Sequence, residues 1–180
     1  MIKLKDLLNE NSSSTYQYGC VMLYFKFPNM KKIHSMIDPA DVYTQEGDMT
    51  YGLEDVPHIT LLYGLHPEVT LEDVKKVLDS HTYSTCTIKN ASLFNNPDYD
   101  VLKFDVSGKD LHETNADLKQ YPFTTSYPDY HPHMTIGYLN PGEGEKYVSK
   151  LKGMQYSLVP DYAVYSHPNG TKDRIEIKVK

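Results

Sequence analysis

The chain has 180 residues, 39% of them hydrophobic and 12% aromatic, and its 18 basic and 24 acidic residues leave a formal net charge of −6. That length can bury one sizeable core, and the acidic balance argues against a groove that tracks long nucleic acid by neutralising many phosphates. Arg174 is the only arginine, so an arginine fork around a phosphate is nearly excluded, and a phosphate site must draw on hydroxyls, backbone N–H groups, histidines or lysines.

Residues 1–15, MIKLKDLLNENSSST, lack the apolar run of a secretory signal and read as an N-terminal extension. The rest, 16–180, reads as a single bilobal domain. GCVMLYFKF (19–27) predicts a buried strand, too short to span a membrane. Pro28-Asn29 opens a short helix with Ile33, Met36 and Ile37 at helical spacing. Residues 38–56 carry acids, Pro and Gly and predict a long loop, either a lid or a solvated insertion. PHITLLYGL (57–65) is the next strand. Thr70 caps a helix that presents Leu71, Val74, Val77 and Leu78 on one face. Residues 83–94 and 99–106 flank Asn95-Asn96-Pro97-Asp98 and predict a hairpin. A polar helix over 107–120 follows, then an aromatic, proline-bearing loop over 121–130. HPHMTIGYL (131–139) is a further strand, and 141–151 a helix. The last stretch alternates on both sides of Pro168-Asn169-Gly170, a hairpin signal.

The order β-α-β-α-β-β-α-β-α-β-β places the chain in the α+β or α/β class. Cys20 and Cys86 lie in apolar strands without a CxxC pattern, which fits buried free thiols in a reducing, cytoplasmic setting. No obligate protein partner is evident.

Two of these strands share a pattern. HITLLY (58–63) and HMTIGY (133–138) both read His, apolar, Thr, apolar, then an aromatic three residues after Thr. Alternation places His58, Thr60 and Leu62 on one face and Ile59, Leu61 and Tyr63 on the other. Likewise His133, Thr135 and Gly137 should oppose Met134, Ile136 and Tyr138, with Gly137 open to close approach by a ligand. Two imidazoles facing one cleft can move protons without a metal: one takes a proton from an attacking oxygen and the other gives one to the leaving oxygen. The threonine hydroxyls can hold phosphoryl oxygens as charge grows on them.

The doubled HxT motif, with this order of elements, resembles the 2H phosphoesterase superfamily, whose members include LigT-like 2′,5′ RNA ligases and cyclic nucleotide phosphodiesterases. The resemblance covers roughly residues 18–178. It implies an α+β, two-lobed, pseudo-symmetric fold of antiparallel-rich sheets flanked by helices around a central cleft. It also implies metal-independent cleavage of phosphodiesters without a cofactor, His58 and His133 as the catalytic pair, and Thr60 and Thr135 on the phosphate. LigT-like members often carry an arginine just after the motif, where Tyr63-Gly64 and Gly137-Tyr138 stand here. Within the superfamily the chain looks most similar to phage anti-CBASS phosphodiesterases. That implies a cyclic di- or trinucleotide substrate and action in the host cytoplasm.

Tyr16, Tyr18, Tyr127 and Tyr130 are candidates for stacking on bases. His131 and His133 in H-P-H leave a metal-dependent hydrolase as a rival reading, and a cleft that sequesters a small nucleotide without cutting it is another. Cleavage of 2′,5′-oligonucleotides or 2′,3′-cyclic phosphates on RNA ends is the alternative within the enzyme class. Which histidine is acid and which is base is not readable from the sequence.

Overall fold

A computed structural model describes residues 16–180, and the extension read over 1–15 lies outside them. In chain order the elements are β1 (Gly19–Phe25), α1 (Met30–His34), β2 (His58–Leu65), α2 (Leu71–Ser80), β3 (Cys86–Asn95), β4 (Asp100–Ser107), α3 (Lys109–Leu118), β5 (His133–Leu139), α4 (Gly144–Lys150), β6 (Gln155–Leu158), β7 (Pro160–Ser166) and β8 (Lys172–Ile175). The strands form two antiparallel sheets, ordered β2-β1-β7-β8 and β5-β4-β3-β6. The sheet holding β2 is called the first lobe and the sheet holding β5 the second. The expected α+β, two-lobed plan is the observed one.

The elements follow local chemistry. Thr70 and Asp73 close a reciprocal capping box on α2, each side chain accepting the other's backbone N–H. α3 has no such cap: Gly108 precedes that helix and offers no side chain. The sequence reading also misses one strand. Residues 155–166 divide at Val159-Pro160, so that β6 joins the second lobe and β7 the first. Pro160 enters opposite Phe25, where the register slips, and a residue without an N–H is tolerated at the start of a strand.

One continuous core lies behind both sheets. Val21, Leu23 and Phe25 of β1 face it, as do Leu102, Phe104 and Val106 of β4. The alternate residues of those strands, Cys20, Met22 and Tyr24 against Val101, Lys103 and Asp105, lie on the opposite faces. β2 and β5, the edge strands of their sheets, pack against each other.

The two lobes pair their strands with the same irregularity. In the first, Met22 lies opposite Thr60 and Val21 opposite Leu62, leaving Leu61 as an extra residue. In the second, Lys103 lies opposite Thr135 and Leu102 opposite Gly137, leaving Ile136 extra. Each is a β-bulge, with two residues of the edge strand facing one of its neighbour.

The segments that precede the two edge strands are exchanged. Residues 42–54 lead into β2 yet dock along β5: Tyr43 N–H donates to Tyr138 O, Tyr138 N–H to Gly52 O, and Glu54 N–H to Ile136 O. Residues 121–130 lead into β5 yet dock along β2, with Thr124 N–H donating to Gly64 O and His66 N–H to Pro122 O. The helices cross in the same sense, α1 packing against β5 and α3 against β2. Each supplies a side chain to the carbonyl freed by the opposite bulge. Asn115 Nδ2 donates to Leu61 O at 2.6 Å, and His34 Nε2 donates to Ile136 O at 3.0 Å. Among the described residues no helix is long and apolar enough to cross a membrane.

Candidate active site

His58 and Thr60 are half-buried on β2, between the buried Ile59 and Leu61, and His133 and Thr135 repeat that pattern on β5. Each imidazole is held in the same way. His58 Nδ1 lies 2.9 Å from Val56 O, and His133 Nδ1 lies 2.9 Å from His131 O. A carbonyl oxygen only accepts, so Nδ1 carries the hydrogen in both rings and Nε2 is left to gain or lose a proton. The His58 ring stands close enough for its charge to bear on His133. Burial holds His133 below its ordinary 6.5, and Lys103 and His58 push the same way, against the His131 carbonyl and the Asp105 carboxylate.

The walls around the two rings differ. In the first lobe, Tyr24 packs against His58 at 5.3 Å between ring centroids. It stacks on Tyr162 at 5.1 Å with the planes 2° apart, and the Arg174 guanidinium lies 4.0 Å over the far ring. Cys20 sits beside Thr60, its thiol pushed up to about 12 by burial. In the second lobe, Lys103 Nζ donates to Ser92 Oγ at 2.7 Å and to Asp105 Oδ1 at 2.9 Å. Phe94 stands edge-on to His133 at 4.9 Å.

The bulges correct the predicted faces. A bulge turns two consecutive residues to one side, so Leu61 and Leu62 both enter the core. Tyr63 then returns to the face of His58 and Thr60, against Cys20, Met22 and Tyr24. Tyr138 returns likewise, to pack with Val101, Tyr99, Tyr43 and Tyr51. Gly137 leaves the His133 face altogether. A Cβ there would lie 2.8 Å from Leu53 Cδ2 and 3.1 Å from Gly52 O, so the glycine admits the docked 42–54 segment rather than a ligand.

The tyrosine candidates scatter. Tyr130 is half-buried against the core, and its hydroxyl donates to Thr60 O at 2.9 Å, so it braces β2 and presents no open ring. Tyr18 stacks on His66 at 5.7 Å and meets Tyr63 edge-on at 6.1 Å. Tyr16 N–H donates to Pro168 O, placing that residue at the β7–β8 turn. Tyr127 is 59% exposed on the 121–130 segment. Among the described residues no group of three or more His, Cys, Asp or Glu side chains could hold a metal ion.

Sequence reasoning passed over Lys103, Asp105, Tyr24, Asn115 and His34. A signal for the first two was present: VLKFDV carries charges at alternate positions of an otherwise apolar strand, the spacing also seen in the HxT strands.

A profile of the 2′-5′ RNA ligase superfamily matches residues 31–159. Among solved structures, Kluyveromyces marxianus Usb1 with uridine monophosphate is similar with a TM-score of 0.55 at 7% identity, covering 89% of this chain and 99% of that one. A second Usb1 structure from the same organism gives 0.53 at 7% identity, covering 89% and 98%. E. coli LigT complexed with 3′-AMP gives 0.45 at 12% identity, covering 89% and 96%. No curated protein matches the chain.

Proposed function

The chain belongs to the 2′-5′ RNA ligase superfamily, the two-histidine phosphoesterases, and from that membership we propose that His58 and His133 cleave a phosphodiester of a small nucleotide, foremost a cyclic oligonucleotide signal, without a metal. The observation that carries this reading is the matched anchoring of the two rings. Both present Nε2 as the exchangeable site, each beside a threonine one alternation further along its strand.

A ribose 2′-OH next to the scissile phosphate supplies the nucleophile. One imidazole removes its proton as the O2′–P bond forms, and the other protonates the departing 5′ oxygen as the P–O5′ bond breaks. The Thr60 and Thr135 hydroxyls donate to the non-bridging oxygens, where charge develops. Phe94, 43% exposed beside the second ring, offers aromatic surface that suits a base flanking the phosphate. The net charge of −6 favours a short ligand over a long polyanion. The likeness to phage anti-CBASS enzymes supports a cyclic di- or trinucleotide and a counter-defence role.

The second reading is cleavage of 2′,5′-linked oligonucleotides or 2′,3′-cyclic phosphates on RNA ends. The family match favours it, and a structure of the same fold carries uridine monophosphate. Incubating the purified protein in EDTA with cyclic di- and trinucleotides, 2′,5′-oligoadenylate and 2′,3′-cyclic nucleotides separates these possibilities. The leading reading expects cleavage of at least one cyclic oligonucleotide. Turnover of RNA-end substrates alone shifts the assignment to the second reading. Activity lost to EDTA and restored by a divalent ion removes metal independence, and stoichiometric binding with intact ligand recovered after denaturation marks a sequestering protein.

A further inference from the structure

The two imidazoles occupy equivalent places in their lobes, but what faces them is not equivalent. Opposite Thr60 and His58 in the first ladder stand Met22 and Tyr24. The matching places in the second ladder, opposite Thr135 and His133, hold Lys103 and Asp105. The Lys103 side chain is 8% exposed and that of Asp105 49%. A mostly buried ammonium is costly unless it is paired and hydrogen-bonded. Ser92 and Asp105 take two of its three N–H donors, and the ammonium lies 4.5 Å from the Phe94 ring centre. No further acceptor for the third donor is found among the described residues, and the side chain shares its face with Thr135 and His133. A cation held in place beside a reacting imidazole, with one donor left over, suits an arriving phosphoryl oxygen.

Resting on the phosphodiesterase reading above, we propose that Lys103 is a further catalytic residue: it donates its third N–H to a non-bridging oxygen of the scissile phosphate and makes His133 the base, leaving His58 as the acid. In the first step the proton of the ribose 2′-OH passes to His133 Nε2 as O2′–P forms. The proton on His58 Nε2 passes to O5′ as P–O5′ breaks, leaving a 2′,3′-cyclic phosphate and a 5′-hydroxyl. In the second step neutral His58 takes a proton from water as the new O–P bond forms, and His133 returns its proton to the ribose oxygen that departs. Both rings end as they began.

The charged and titratable groups facing His133 are Lys103 and Asp105 from β4 and His58 from β2. The ammonium and the second imidazole disfavour a proton on His133, burial acts the same way, and the Asp105 carboxylate, spent partly on Lys103, offsets them in part. His58 faces the Tyr24 ring instead. A lysine placed this way takes the phosphate-binding part that one arginine, already lying over Tyr162, does not fill.

The test combines K103M, K103R and K103Q with substrates whose 5′ bridging oxygen is replaced by sulfur, a leaving group that needs no protonation. K103M is expected to lower kcat/KM on the ordinary substrate by about 10²–10³, the loss typical of one oxyanion donor, with K103R recovering part of it. Removing the cation raises the His133 pKa, so the acidic limb of the kcat/KM profile moves to higher pH. An NMR titration of the His133 ring without substrate should show the same upward move, and K103Q, which keeps donors for Ser92 and Asp105, carries that measurement if K103M folds poorly. The sulfur substrate should rescue His58→Ala and not His133→Ala. A K103M rate within two-fold of wild type, an unmoved His133 titration, or rescue of His133→Ala instead would overturn the proposal. Failure of the wild-type protein to cleave any phosphodiester would fall on the phosphodiesterase reading, and the titration would still decide whether Lys103 governs His133.

Discussion

The first lobe sets stacked rings beside its histidine and the sulfurs of Cys20 and Met22 beside its threonine; the second sets an ion pair and a hydroxyl beside its own pair. Backbone register, bulge and imidazole anchoring are the same in both. The repeat therefore conserves what a reacting group needs in position and varies what it needs in electrostatics. On the proposed mechanism two protons travel in opposite directions across one phosphorus, and two identical environments would give both rings the same affinity for a proton. Placing Lys103 and Asp105 where the first lobe has Met22 and Tyr24 breaks that tie without moving a strand.

The comparison is tested most severely at the rings themselves. His58→Ala and His133→Ala are each expected to lower turnover by about 10²–10⁴ on a natural phosphodiester, with the thermal melt of each variant showing that the fold is kept. A variant that retains near wild-type turnover would remove its ring from acid or base duty and leave the lobes functionally unpaired.

A smaller effect separates the glycines that follow each motif. Gly64 has φ +110, and a Cβ there would meet Thr124 O at 1.9 Å. Gly64→Ala should therefore lose about 3 kcal/mol or more of stability, through left-handed strain and displacement of the docked 121–130 segment. Gly137 meets chiefly the Leu53 side chain and nearby backbone, so Gly137→Ala should cost about 1–3 kcal/mol. Denaturant melts measure both, and the reverse order would show that the 42–54 segment is the more rigid of the two.

The smallest effect lies at the bulges. Leu61 O is reached by the buried Asn115 amide, and Asn115→Ala should cost about 1–3 kcal/mol by stranding a buried carbonyl. Ile136 O also accepts from Glu54 N–H, so His34→Ala should cost only about 0.5–1.5 kcal/mol. Equal losses would mean that the two carbonyls rely on their side-chain donors alike.

The HxT strands, the Thr70 cap and both hairpin turns were readable because each leaves a local signature. The α+β class followed from the order of elements, and the two-lobed plan from the family resemblance that the doubled motif carries. What stayed hidden was longer in range. Alternation alone put Tyr63 and Tyr138 on the wrong face, because a bulge inserts a residue only when a neighbouring strand sets the count. Gly137 looked open for the same reason, since nothing near it in sequence announces that Leu53 will fill the space. The division at Pro160 was a local mark, but the sheet each half would join was not. Lys103 and Asp105 carried a visible pattern that gains meaning only when β5 lies alongside them.

Edge strands expose unpaired backbone groups that invite other chains to add on. Here the outer rims of β2 and β5 are each capped by a length of chain borrowed from the opposite half. Neither half could be made alone without baring the strand that carries its histidine, so an isolated fragment would tend to self-associate along that edge. The interlocked arms thus give the protein a built-in guard against aggregation along the two strands that carry its histidines.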